Sequence, residues 1–419
     1  MEKPQTNGGI SWIDRNLLSA VRKIAGPVQV KLALPHKISS GSQQSSETPT
    51  IWIANRETLG SLLLNPEVSF GDAYSEGLVE ITGDLVSVLQ MLFGSASQIT
   101  DWKSNLFSAW LNCVQPNSLA GSHKNIHHHY DLPTDFYQLW LDDQMVYTCG
   151  AFPDRASTLE EAQLAKLDLV CRKLWLQPGE TVVEAGCGWG ALSLYMAKHY
   201  GVRVKAYNIS HEQIAFARRI AKEQGLTSNV EFIEEDYRNI RGRFDAFVSV
   251  GMLEHVGKEH YDQLGRVLRT AIGDSGRGLL HFIGRNSPRP FSAWIRKRIF
   301  PGAYAPPLRE AMQILEPSDF SVLDVENLRL HYAKTLEHWL RRFERSYNTV
   351  AQRFGTEFAR MWRLYLAGSI AAFNVGSLQL FQIVFAGREC RGIPWTRSTR
   401  GSDTAATQQQ DQPWIHAMS

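Results

Sequence analysis

Apolar residues follow two alternating periods along the second half of the chain. Short apolar runs, typical of buried strands, alternate with longer segments in which apolar residues recur every three or four positions, typical of helices. The pattern predicts strands at 181–185, 202–207, 230–234, 245–250 and 278–283, and helices at 190–200, 211–224 and 260–272. Such alternation favours an α/β domain with a parallel, doubly wound sheet whose ligand lies at the carboxyl ends of the strands.

More elements are predicted on both sides of this block. Ser157 or Thr158, followed three residues later by Glu160 or Glu161, forms a capping box for a helix that runs to about Trp175. The segment from Leu364 to Phe385 is apolar but interrupted by Asn and Gln, so it predicts a core helix and a last strand at 378–385, not a membrane span.

The N-terminal region has a different pattern. From Ile51 onward it predicts a small α+β unit, in which Asp72, Glu76 and Asp84 are interpreted as helix caps or solvated positions. Polar residues dominate 36–50, as in a mobile loop, and 396–419, as in a tail without fixed structure. We expect an N-terminal domain at 1–112, a larger domain at 113–395 and a tail at 396–419.

One strand runs directly into glycines. TVVEAGCGWG, residues 181–190, predicts a strand, a glycine turn and the N-terminus of a helix, where unpaired backbone N–H groups can face a ligand. Its G-x-G-x-G spacing is neither the dinucleotide fingerprint nor a phosphate loop. A Rossmann-like sheet that holds a small nucleoside ligand fits this motif better.

Composition restricts the class of protein. The chain has 419 residues, 43% of them hydrophobic, and a formal net charge of +2, so attraction to nucleic acid is not indicated. Five cysteines without a C-x-x-C pair argue against a disulfide framework and a structural zinc site. No secretory pattern opens the sequence, so we expect a cytoplasmic protein.

Two clusters have competing interpretations. Three consecutive histidines, 127–129, suggest metal, but adjacent residues on a helix diverge, so packing is favoured and no metal is expected. An insertion at about 284–317 carries six basic residues and interleaved aromatic residues; they are Arg285, Arg289, Arg296, Lys297, Arg298 and Arg309. The insertion is interpreted either as a lid that contacts anionic phospholipid or as a solvated loop over the core.

Several blocks in order resemble the cyclopropane fatty acid synthase family, which includes the mycolic acid methyltransferases. They are HYDLPTDFYQLWLDDQMVYTCGAF, VVEAGCGWGALSLYMAKHYGVRVKAYNISHEQ, FDAFVSVGMLEHVG, LLHFIG and HYAKTLEHW, and the likeness covers roughly residues 50–390. The resemblance implies methyl transfer from S-adenosylmethionine to a cis double bond of a phospholipid acyl chain, followed by ring closure. It also implies peripheral association with the inner membrane surface and a homodimer.

The resemblance implies a bound bicarbonate that takes up the proton. Its contacts map onto Cys149, Glu254, His281, the Ile283 backbone and Tyr332. Because two like charges repel, Glu254 can join only if it shares a proton with the anion. Each residue alone has an ordinary alternative as a core residue or helix cap.

The resemblance also implies ten cofactor-binding residues. Glycines should pass beneath the methionine part, the end of the second strand should meet the ribose, and the turn after the third strand should hold the adenine. The residues are Tyr147, Thr148, Gly186, Gly188, Gly190, Asn208, Ile209, Gln213, Asp236 and Tyr237.

The sequence departs from the family pattern at two places. Pro133 and Thr134 replace a common Gly-Asn, and Ser369 stands where many members have a late cysteine. Serine is a poor substitute for a thiol nucleophile, but direct transfer needs no covalent enzyme intermediate. The alternatives that remain are methylation without ring closure, a small-molecule acceptor, and a lipid-binding protein without catalysis.

Overall fold

The computed structural model describes residues 49–96 and 132–393, together with 27–32 and six positions between 15 and 25. The histidines at 127–129, the boundary at 112/113, the tail at 396–419 and most of the loop at 36–50 lie outside the described residues. The division into domains therefore stays a prediction.

Within the described residues, the N-terminal unit contains a three-stranded sheet and three helices that follow β2 and β3, besides the helical positions between 15 and 25. Strand β2 (Thr50–Ile53) lies between β1 (Gln29–Leu32), which is parallel to it, and β3 (Val79–Thr82), which is antiparallel. Helices α1 (Arg56–Leu64) and α2 (Pro66–Ser75) precede β3, and α3 (Leu85–Ala96) follows it. The predicted α+β unit from Ile51 onward is confirmed.

A short helix, α4 (Thr134–Gln138), and a longer one, α5 (Leu159–Lys173), precede the central sheet. The Thr158 hydroxyl accepts from the Glu161 backbone N–H at 3.2 Å, and the Glu161 carboxylate accepts from the Thr158 N–H at 2.8 Å. The predicted capping box is therefore confirmed.

Seven strands form the central sheet, in the order β6-β5-β4-β7-β8-β10-β9. They are β4 (Thr181–Ala185), β5 (Arg203–Asn208), β6 (Val230–Glu234), β7 (Ala246–Val250), β8 (Arg277–Gly284), β9 (Phe320–Asn327) and β10 (Gln379–Gly387). Helices α6 (Ala191–Tyr200), α7 (His211–Glu223) and α8 (Tyr261–Ile272) connect the first five strands. The strands and helices predicted between 181 and 283 are confirmed to within a residue, and the predicted last strand is confirmed to within two.

The predicted parallel arrangement is confirmed for β4 to β8, but it does not extend to the last two strands. Strand β10 is antiparallel to both β8 and β9 and lies between them, so it does not close an edge. All nine of its residues are buried, which explains its continuous apolar run. Strand β9 was not predicted, because as an edge strand with mostly half-exposed residues it lacks a clear apolar period.

Two helices of the insertion, α9 (Ala293–Arg298) and α10 (Leu308–Leu315), precede β9, and the long helices α11 (Arg329–Phe354) and α12 (Thr356–Asn374) follow it. Helix α11 packs along α12, and α12 also packs on α2 and α3 of the N-terminal unit. No helix within the described ranges is long and apolar enough to cross a bilayer.

The insertion docks on the N-terminal unit through α9 and α2. Arg298 donates two hydrogen bonds to Asp72, at 3.0 and 2.9 Å, and the Ala293 N–H donates to Glu67 at 3.1 Å. The Trp294 ring lies so close to Gly71 that a Cβ there would be 2.3 Å from the indole nitrogen. Asp72 is thus an ion-pair partner, and its interpretation as a cap or solvated residue is wrong.

Candidate active site

A cavity opens at the carboxyl ends of β4, β5, β6 and β7, where the strand pattern places the ligand. Nine of the ten residues predicted to bind the cofactor line it, and they are Tyr147, Thr148, Gly186, Gly188, Asn208, Ile209, Gln213, Asp236 and Tyr237. The chain thus brings together residues that are separated by up to 90 positions.

The floor of the cavity is bare backbone. Gly186 and Gly188 have φ angles of 81° and 54°, which disfavour a side chain. A methyl group on Gly186 would lie 3.0 Å from Cβ of Met252, whereas no described atom lies within 4 Å of the Cβ position on Gly188. These two glycines form a cradle that a side chain would fill.

Gly190 has a different role from the one predicted. It does not line the cavity, and a Cβ on it would lie 2.7 Å from the Phe232 ring and 2.9 Å from the Ala217 methyl group. The absence of a side chain at this position allows α6 to start close against β6 and α7.

Polar side chains at the end of β5 are held by one another. The Asn208 amide donates to Oε1 of Gln213 at 2.7 Å and to the Gly188 carbonyl at 3.3 Å, while its oxygen accepts from the Ile209 N–H at 2.8 Å. Asn208 therefore ties the glycine turn to the start of α7, and the Gln213 amide N–H₂ remains as a donor beside the cavity.

After β6, Asp236 and Tyr237 form another wall. Asp236 is buried, and its carboxylate accepts from the Arg238 backbone at 2.9 Å and from the Arg238 guanidinium at 3.3 Å. The Arg238 guanidinium also lies 5.1 Å from the centre of the Tyr237 ring. Both residues are thus contacted by Arg238 within the same turn.

The opposite wall comes from the segment before α5. The Thr148 carbonyl accepts from Gln163 at 2.8 Å, and its hydroxyl accepts from the Lys166 ammonium at 3.2 Å. The hydroxyl groups of Tyr147 and Tyr365 are 2.9 Å apart. This wall is thereby attached to α5 on one side and to α12 on the other.

Two buried charged residues of the cavity were not predicted. Lys166 and Glu184 are both 2% exposed. Burial lowers the pKa of Lys166 to about 8 and raises that of Glu184 to about 7, and Ser193 hydrogen-bonds the Glu184 carboxylate. Lys166 follows Leu159 and Ala162 at helical spacing, so the same period that predicts α5 also places this lysine on its buried face.

Beside the cavity, Glu254 is held by a strand backbone. It lies in the turn after β7, between the cavity residues Met252 and His255, and its Oε1 accepts from the Ile283 N–H at 2.6 Å. Its Oε2 is buried and has no hydrogen-bond partner among the described residues. Burial raises the pKa of Glu254 to about 7, so this carboxyl group can hold a proton near neutral pH.

His281 lies two residues before Ile283 on β8 and pairs in register with Val250, a cavity residue. The ring is 2% exposed, and its Nδ1 lies 2.9 Å from the Gln382 amide nitrogen. Its Nε2 has no partner within the described part of the chain. Burial and the nearby lysines Lys166 and Lys173 hold the pKa of His281 well below its usual range, so the ring is neutral.

Cys149 and Tyr332 meet at the start of α11. The Cys149 thiol is fully buried, 4.0 Å from the Leu328 carbonyl, and the Tyr332 N–H donates to the same carbonyl at 3.2 Å. The backbone N–H of Leu328 donates to the carbonyl of Leu380 on β10 at 2.8 Å. Leu380 in turn pairs in register with Ile283 on β8. Burial raises the pKa of the Cys149 thiol well above its usual range, so the thiol is protonated.

These contacts place the five predicted catalytic residues on adjoining elements around the end of β8. The charge of Lys166 influences the pKa of both Cys149 and His281, which agrees with this grouping. Buried polar atoms are normally paired, and Oε2 of Glu254 and Nε2 of His281 are among the exceptions in the described residues; Glu254 bonds the backbone of Ile283, two residues after His281 on β8. A small anion that accepts a hydrogen bond and shares a proton fits this pair of atoms.

One departure from the family pattern touches the cavity wall. The Thr134 hydroxyl lies 3.4 Å from the indole nitrogen of Trp189, a cavity residue of the glycine turn. Ser369 lies in the second half of α12 and is half-buried.

Comparison with known proteins agrees with this geometry. Residues 117–383 match the family model of mycolic acid cyclopropane synthetase. A probable fatty acid methyltransferase from Pseudomonas putida is 34% identical over 90% of this chain and 97% of its own length. The cyclopropane-fatty-acyl-phospholipid synthase of Escherichia coli K12 is 39% identical over 62% of this chain and 66% of its own length. Mycolic acid cyclopropane synthase CmaA1, solved with SAH and CTAB, superposes with a TM-score of 0.60 at 29% identity, over 63% of this chain and 97% of its own.

Proposed function

Because this chain belongs to the mycolic acid cyclopropane synthetase family and is an S-adenosylmethionine-dependent methyltransferase, we propose that it converts a cis double bond of a phospholipid acyl chain into a cyclopropane ring. Addition of a methyl group to one alkene carbon leaves a cation on the other, and loss of a proton from that methyl group closes the ring. The product therefore exceeds the substrate by one CH₂.

The cavity residues suit S-adenosylmethionine, which supplies an electrophilic methyl group when bound. The glycine cradle accommodates the amino-acid part, the Gln213 amide faces the ribose, and Asp236 with Tyr237 holds the adenine. Trp140 and Trp339 surround Tyr147, with ring centres 5.3 Å away. Aromatic rings exclude water and stabilise cations, as this reaction requires.

The observation that carries the ring-closing step is that Glu254 and His281 each have a buried polar atom with no hydrogen-bond partner in the part of the chain that the structure describes. We assign them, with the Cys149 thiol and the Tyr332 hydroxyl, to a bicarbonate ion, which supplies the base when bound, and the Ile283 backbone joins the site through its hydrogen bond to Glu254. A neutral His281 can donate a hydrogen bond, and Glu254 with its raised pKa can share a proton with the anion.

Incubation with isotope-labelled S-adenosylmethionine and liposomes of defined unsaturated phospholipid, followed by fatty-ester mass spectrometry, tests the function. We expect a labelled acyl chain that is heavier by one CH₂ and resists ozonolysis. An exomethylene branch has the same mass but is cleaved, and a saturated methyl branch requires two further hydrogens from a reductant. The absence of any labelled lipid would contradict the proposal.

The name of the Pseudomonas putida relative supports methylation of a lipid without ring closure as the second candidate. Ozonolysis distinguishes the cyclopropane product, which resists it, from an exomethylene branch, which is cleaved. A small-molecule acceptor would give label outside the lipid fraction. A lipid-binding protein without catalysis would show no thermal stabilisation by S-adenosylhomocysteine, since a ligand that binds the folded state raises the melting temperature.

Since the proposed substrate is a membrane lipid, we propose that the enzyme works as a peripheral protein at the cytoplasmic face of a membrane; the family resemblance is the basis for proposing a homodimer. Arg298 binds Asp72 at 2.9 Å, whereas Arg289 and Lys297 lie farther from their acidic partners Glu67 and Asp72, at 3.8 and 4.0 Å, and are more exposed, so these two side chains are the better candidates for headgroup contact. Sedimentation with anionic vesicles should exceed that with zwitterionic vesicles and fall in Arg289→Ala/Lys297→Ala. Arg219→Ala on α7 is the control and should bind as the wild type does.

A further inference from the structure

A row of buried side chains extends from α5 to the proposed anion site. The Lys173 ammonium lies 2.6 Å from Oε1 of Gln382, and the Gln382 amide nitrogen lies 2.9 Å from Nδ1 of His281. Lys173 also forms an ion pair with Glu326 on β9. Lys173, Gln382 and His281 are 6%, 0% and 2% exposed, so water does not compete for these hydrogen bonds.

The order of donors and acceptors in this row follows from chemistry. A lysine ammonium can only donate, so the Gln382 atom that faces it must be the carbonyl oxygen. The N–H₂ group of the same amide therefore faces the imidazole. Because N–H₂ can only donate, Nδ1 of His281 must accept with its lone pair.

A neutral imidazole carries one proton, and with Nδ1 as the acceptor that proton is on Nε2. This is the ring atom that lacks a partner among the described residues. We infer that Lys173 and Gln382 are positioning residues that fix the Nε2–H tautomer of His281, so that the ring donates a hydrogen bond into the anion site. The anion rests on the proposed function, whereas the tautomer rests on the three side chains alone.

Nuclear magnetic resonance of the full chain labelled with [¹⁵N]histidine tests the tautomer, since ring-nitrogen shifts distinguish protonated from bare nitrogen. His281→Gln identifies the His281 signals by their loss. In the wild-type protein at neutral pH we expect a bare Nδ1 and a protonated Nε2. A protonated Nδ1 would overturn the inference without any further variant.

The variant Gln382→Glu tests whether Gln382 sets the tautomer of His281. The glutamate can still accept from Lys173, but its second oxygen presents an acceptor to His281, so Nδ1 must become protonated. Gln379→Glu is the control on the same strand, because Gln379 contacts Asn327 and Gly376. An Nδ1 signal that does not move in Gln382→Glu, or that moves equally in both variants, would overturn the role of Gln382.

Turnover separates this inference from the proposed function. If His281 donates to the anion, Gln382→Glu should lower kcat at least tenfold with unchanged affinity for S-adenosylhomocysteine. A tautomer that switches without any change in kcat would leave the role of Gln382 in place and would count against the anion.

Discussion

Oε1 of Glu254 accepts a hydrogen bond from the backbone N–H of Ile283 at 2.6 Å. This bond joins the turn after β7 to the carboxyl end of β8. The bond orients the carboxyl group, and Oε2 remains buried with no partner among the described residues. Position and protonation of this group are therefore set by different features: the strand backbone fixes where it lies, and burial fixes its pKa.

Glu254→Gln should lower kcat by about 100-fold or more, the usual range for loss of acid–base chemistry. The amide oxygen can still accept from Ile283, so affinity for S-adenosylhomocysteine, measured by calorimetry, should change little. Glu316→Gln, at an exposed position, is the control and should retain wild-type turnover. Unchanged turnover in Glu254→Gln would rule out its catalytic role.

The stability of Glu254→Gln relative to the wild type should rise with pH. Burial raises the pKa of Glu254 from 4.5 to about 7, so between these pH values the unfolded chain loses the proton while the folded protein still holds it, and the wild-type protein loses stability as the pH rises. Gln never ionises. The difference in the free energy of unfolding, measured with urea, should therefore shift in favour of the variant between pH 4.5 and about 7.

Glu184→Gln should show the same trend, because burial also raises the pKa of Glu184 to about 7. A difference in stability that does not vary with pH in either variant would contradict this account of the buried carboxyl groups.

Gly186→Ala should abolish stabilisation by S-adenosylhomocysteine. The methyl group would lie 3.0 Å from Met252 and would occupy the cradle. Gly225→Ala is the matched control, since Gly225 also has a positive φ, 69°, but no described atom within 4 Å of its Cβ position. Both variants should lose roughly 1 kcal/mol of stability from the backbone alone. Only Gly225→Ala should keep the ligand-dependent rise in melting temperature.

Asp72 and Arg298 should be energetically coupled. Their two hydrogen bonds join the N-terminal unit to the insertion, and both side chains are partly exposed, so a coupling of about 0.5–1 kcal/mol is expected. A double-mutant cycle with alanine at both positions, followed by urea unfolding, measures it. Asp84, which caps α3 through the Ser87 N–H at 2.7 Å, is the control and should be additive with Arg298.

Local patterns were sufficient for the elements and for part of the cavity. Strand β4, the glycine turn and α6 could be predicted because their periods and glycines are contiguous in the sequence. The lysine at position 166 could also have been found, since helical spacing places it on the buried face of α5. Nothing local, however, distinguishes Gly190, which packs against Phe232, from the two glycines that line the cavity.

The sequence by itself determined the alternation of strands and helices, the glycine turn and, through the order of its motifs, the family. Only the tertiary structure decided that β10 runs antiparallel inside the sheet, that Asp72 pairs with Arg298, and that Lys173 and Gln382 adjoin His281. The reason is physical. Periodicity records which face of an element is buried, but the partner of a buried polar group comes from a distant segment, and its identity depends on how the elements pack.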